Sequence, residues 1–62
     1  MTAEEKAIIY DECLRESDYL QRINSKIRSE NPINVPPELQ ETLTKNTNRI
    51  NLLVKRLQSL FD

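Results

Sequence analysis

The sequence contains no glycine, no histidine and no tryptophan, and its one cysteine is Cys13. Each absence closes a route. Tight turns that need positive φ draw on glycine, so an all-β fold built from hairpins is disfavoured. One cysteine cannot form a disulfide within the chain, and with no histidine beside it there is no ligand set for structural zinc. Aromatic residues are scarce, two Tyr and one Phe, too few to interleave with bases as a nucleic-acid platform does. No apolar run approaches the roughly 18 residues of a membrane span. Met1 to Leu14 lacks a basic start followed by a continuous apolar run, so no secretory leader is expected. The expectation is a soluble, cytoplasmic protein. Nine basic residues stand against ten acidic ones, a net charge of −1, which does not mark a general polyanion binder.

Sixty-two residues make one domain, 1–62, whose small core calls for a staple or a partner. What the chain does have is abundant Glu, Lys, Arg, Leu and Gln, which suits long helices. The clearest pattern runs from Leu39 to Phe61. Leu39, Asn46, Leu53 and Leu60 form one column of sevens; Leu43, Ile50 and Leu57 form the other. Alternating steps of four and three describe a helix seam facing a second helix. Pro36 and Pro37 precede it, and Glu38 and Glu41 fall in its first turn, as a helix start prefers.

The first half reads as a partner helix from about residue 3 to 29. Thr2-Ala3-Glu4-Glu5 has the form of a capping box. Ile9, Cys13, Leu20, Ile23 and Ile27 form its apolar stripe, with Glu16 at the skipped step. Asp11–Arg15 and Asp18–Arg22 are acid-first pairs four apart. Asn31-Pro32 ends the helix, because a residue before proline leaves the α region. The NPINV connection is short enough only for an antiparallel neighbour, and Ile33 and Val35 are expected to tuck under its end. The predicted fold is all-α: an antiparallel two-helix hairpin (about 3–29 and 37–61), dimerising into a four-helix bundle. Opposed positions should sum to about 66, with Arg49 near Asp18 and Lys55 near Asp11 and Glu12. Asn46, the polar seam residue, should lie across from Leu20 and Asn24, where a lone amide can fix register.

No chemistry is legible. Glu12 and Glu16 share a helix face, yet no nucleophile, histidine or phosphate loop accompanies them, so an acidic surface explains them better than catalysis. Glu16 reads as an edge residue paired with a base such as Arg49. Cys13 lies on the inward stripe among acids, the setting of an inert buried thiol. No catalytic, cofactor or metal residue is expected. Ile8, Tyr10, Leu14, Tyr19, Leu52, Val54 and Phe61 fall outside the seam. They are the candidate face for a dimer or protein partner, since two amphipathic helices alone make a thin layer. Arg22, Lys26, Arg28, Lys45 and Arg49 gather toward the loop and are the candidate RNA face of an alternative reading.

The paired heptads joined by a short connection resemble the Rop-type family of small helical hairpins along the whole chain. That resemblance implies a dimeric four-helix bundle and a Rop-like RNA-binding regulator as one alternative. No functional motif is shared, and the NPINVPP connection departs from that family's tight turn. The chain's size and its opening, MTAEEKAIIYDECL, resemble small accessory proteins of lambdoid phages, such as those of the exo–xis region. This implies a non-enzymatic interaction protein that modulates host physiology or lytic development. A structural coiled-coil subunit of a larger complex is the remaining alternative.

Overall fold

The computed structural model describes residues 1–61; Asp62, the last residue of the expected domain, lies outside the described residues. It contains two helices, α1 (Ala3–Glu30) and α2 (Pro37–Leu60), packed antiparallel into a rod whose Cα atoms span 46 × 14 × 14 Å. No strand occurs among the described residues. The all-α hairpin read from the heptads is therefore the fold, with both helix boundaries within one residue of expectation.

Local chemistry sets those boundaries. Thr2 Oγ1 accepts from the Glu5 amide at 3.1 Å, and the Thr2 amide donates back to Glu5 Oε1 at 3.2 Å, so two of the first turn's free N–H groups are met. At the other end, Asn31 Nδ2 donates to the Ile27 carbonyl at 2.8 Å, closing the last turn before Pro32. Pro37 is the first residue of α2, and Pro36 caps it without a side-chain bond, as expected where the missing N–H would have had no partner.

The seam holds five buried apolar residues: Cys13 and Ile27 from α1, and Leu43, Leu53 and Leu60 from α2. Ser17 and Asn24 are buried with them. Within α1 the deepest line therefore runs Cys13, Ser17, Asn24, Ile27, with Leu20 half-buried. Ile9, Glu16 and Ile23, spaced by seven, are half-buried along one flank. Among the α2 positions, Leu39, Asn46, Ile50 and Leu57 are half-buried beside the three buried leucines.

Two expectations need correction. The Asn46 amide donates to Asn24 Oδ1, one of the two residues expected across from it, and the Tyr10 and Phe61 rings meet edge to face with centroids 5.8 Å apart. These pairs sum to 70 and 71, while the Glu16–Arg49 pair sums to 65, so the expected sum of about 66 holds for that pair and the contacts of the opposite face lie about one helical turn further along. Asp18 accordingly pairs with Arg22 and Asp11 with Arg15, not with α2. The shift follows from small polar side chains at Ser17 and Asn24 taking seam places that apolar spacing alone assigned to the Ile9–Ile23 line. Ile33, expected beneath the loop end, is 98% exposed, while Val35 is half-buried. No further described element covers the loop end, and Pro32 directs the chain away from α1.

Candidate functional site

A hairpin has two broad faces, and the cross-helix contacts define them. Arg49 reaches Glu16 through Nε at 2.5 Å and Nη2 at 3.2 Å on one face. Asn24 Nδ2 reaches Thr47 Oγ1 at 3.4 Å on the other, the side that also carries the Tyr10–Phe61 contact.

The Glu16–Arg49 face is charged. The two-pronged hydrogen bond from Arg49 holds the Glu16 carboxyl below its ordinary value; desolvation opposes it, and the charge of Arg49 adds a lesser lowering. The pair bears out the reading of Glu16 as an edge residue matched by Arg49. Both side chains remain substantially exposed, so the pair is a surface tie of small net worth.

The opposite face is nearly free of charge. Along α2, Gln40, Thr44, Thr47, Asn51, Val54, Gln58 and Phe61 repeat the four-and-three spacing beside the first seam, and all seven are exposed. Along α1 the matching line is Ala3, Ala7, Tyr10, Leu14, Ser17, Gln21, Asn24 and Arg28, with Arg28 its single charge. In a chain whose residues are 31% charged, this is a second four-and-three stripe, exposed along α2 and buried on α1 only at Ser17 and Asn24. Its two ends differ. At the open end an apolar cavity of about 350 Å³ lies between Ala3, Lys6, Ala7, Tyr10 and Phe61. At the loop end a larger hollow of about 600 Å³ has a polar rim that includes Arg28, Gln40, Thr44 and Thr47.

Beneath this face lies a closed amide network. Asn24, 3% exposed, accepts from Asn46 Nδ2 at 2.9 Å and donates to Thr47 Oγ1. Gln21 Nε2 donates to Ser17 Oγ at 3.2 Å. No buried side-chain polar atom among the described residues lacks a partner, as a desolvated amide requires. The spacing of Asn46 had marked it as a register residue; its companions Ser17 and Thr47 carried no such signal, because small polar residues at seam spacing are indistinguishable from surface ones.

All seven residues of the candidate partner face are exposed. They do not form one face. Tyr10, Leu14, Val54 and Phe61 share the uncharged side. Ile8, Tyr19 and Leu52 fall on the charged side. The candidate RNA residues are also dispersed. Arg22, Lys45 and Arg49 each sit on a carboxylate, of Asp18, Glu41 and Glu16 respectively. Lys26 lies on the charged side and Arg28 on the uncharged one. Cys13 is buried and free. No cluster of three or more metal-ligating side chains occurs among the described residues, and no described helix is long and apolar enough to cross a membrane.

Comparison with protein-family models, curated proteins and solved structures finds no match to this chain. The class rests on the fold itself: a two-helix hairpin with one charged and one uncharged face.

Proposed function

We propose that the chain is a non-enzymatic interaction protein that docks its uncharged face on a helical surface of another protein molecule. The observation that carries this reading is the exposed four-and-three stripe from Gln40 to Phe61, which bears no charge. Protein interfaces are depleted of charge at their centres and enriched in aromatic anchors, and Tyr10 and Phe61 stand at the apolar end of this stripe. The hairpin's own core adds support. None of its side chains is less than 2% exposed, so the two helices gain stability from a further layer. The likeness of the opening to lambdoid phage accessory proteins fits such a role, with the docked surface modulating a host or phage process. RNA binding has less behind it, since three of its five candidate bases are already matched by acids.

Site-specific photo-crosslinking in cells tests the reading. A photoreactive residue placed at the exposed positions Leu14 or Val54 should yield protein adducts, and one at Leu52 should yield few. Absence of protein adducts from Leu14 and Val54, or RNA adducts from a probe at Lys26, would sink it.

A further inference from the structure

We infer that the occupant of the uncharged face is a second copy of this chain, held by a two-fold axis parallel to the helices, with both loops at the same end. The inference rests on the interaction reading above and adds to it a partner and an orientation.

The area fits. A face 46 by 14 Å covers roughly 640 Å² per copy. Two such faces bury roughly 1,300 Å², within the range of about 1,200–2,000 Å² of a standard interface. The open-end half alone would fall short, so the pairing must run the length of the rod, and a copy of equal length matches it end to end.

The choice of axis follows from the ends. The face is mostly apolar at its open end, around Tyr10, Leu14, Val54 and Phe61 with Lys6 beside them, and polar at its loop end, around Gln21, Arg28, Gln40 and Thr47. An axis parallel to the helices lays apolar on apolar and amide on amide. An axis across the helices lays the aromatic end of each copy on the other's polar end, which leaves amides and Arg28 facing apolar surface without partners.

The parallel axis stacks α1 of one copy on α2 of the other, whereas the crossing axis stacks α1 on α1. The aspartates on the outer edge of α1, Asp11 and Asp18, are each bonded to a base of their own helix, Arg15 and Arg22, so the match of apolar and polar ends, not edge charge, selects the axis.

The test uses the wild-type chain. Equal parts of isotope-labelled and unlabelled protein are mixed, and isotope-filtered NMR reports only contacts between copies. Tyr10 and Leu14 of one copy should contact Val54 and Phe61 of the other. Contacts from Tyr10 or Leu14 to Gln21, Asn24 or Arg28 of the second copy would place the loops at opposite ends and overturn the arrangement. A monomer mass by sedimentation at the same concentration would overturn the second copy as occupant. The wider interaction reading would then be judged separately by the crosslinks: adducts from Leu14 to a different protein keep it, and none removes it.

Discussion

The two faces of the hairpin join the same two helices by different means. On the charged face, Glu16 and Arg49 form a two-pronged ion pair that stays in water. On the uncharged face, the buried Asn24 binds the half-buried Asn46 and the exposed Thr47. An exposed ion pair exchanges hydration for contact at little net gain, and salt screens it. A buried amide has no such exchange to fall back on, because losing its partner costs the full desolvation of the group. The charged face therefore tolerates change, while the amide layer fixes which residues oppose one another. The seam is apolar at both ends, with Cys13, Leu53 and Leu60 near the open end and Ile27 and Leu43 near the loop. Only its middle carries a polar check on register.

Mutations of the two bridges should separate them. The largest effect is expected from Asn24→Ala, which removes the acceptor of Asn46 and the donor to Thr47 together. Urea melts should show a loss of about 1–3 kcal/mol. A loss no greater than that of Glu16→Gln would erase the distinction between the faces. Asn46→Leu should cost less, about 1 kcal/mol, since Asn24 keeps Thr47 while its Oδ1 loses a donor. Replacing both, Asn24→Leu with Asn46→Leu, should restore stability and weaken specificity, because an apolar layer accepts several registers. Size-exclusion chromatography should then resolve more than one species; a single sharp peak would mean that the amides do not set register.

The smallest effect belongs to Glu16→Gln, and it has a signature in pH. Arg49 lowers the Glu16 carboxyl from its ordinary value of 4.5. A carboxyl lowered in the folded state stabilises the fold fully above its unfolded value and loses that contribution as pH falls through the folded value. Glu16→Gln should flatten this acid-side slope and leave stability at neutral pH little changed. The Asn24 network contains no titrating group, so Asn24→Ala should shift the whole curve without altering its slope.

Much of the fold is legible in the sequence, for physical reasons. Helix ends are local: Thr2 with Glu5, and Asn31 with Pro32, act through neighbours within one turn. The α2 seam is legible because its core positions are leucine or isoleucine apart from Asn46. The α1 seam is harder to read. Ser17 and Asn24 are buried by virtue of partners on the same or the facing helix, and no single-helix pattern reveals a partner. Ile9 and Ile23 compete for the seam on hydrophobicity and end on its flank. This displacement accounts for the one-turn difference from the expected register among the contacts of the uncharged face. Ile33 shows the converse: an apolar side chain remains exposed when nothing is there to cover it. The scattered apolar residues outside the seam were visible from spacing, but their division between two faces depended on that register. The uncharged stripe itself is written in the sequence at positions 40 to 61; its polar members concealed it from a search for hydrophobic residues.

The division between faces is tested most directly by weighing two charged variants in solution. Leu14→Glu with Val54→Glu places two carboxylates on the uncharged face; Tyr19→Glu with Leu52→Glu places two on the charged face. All four positions are exposed, so both variants should retain helical circular dichroism. Sedimentation equilibrium should give the first variant the 7.3 kDa mass of a single chain, while the second keeps twice that mass. Two dimeric variants, or a dimeric first variant beside a monomeric second, would contradict the assignment of the uncharged face as the surface on which this protein assembles.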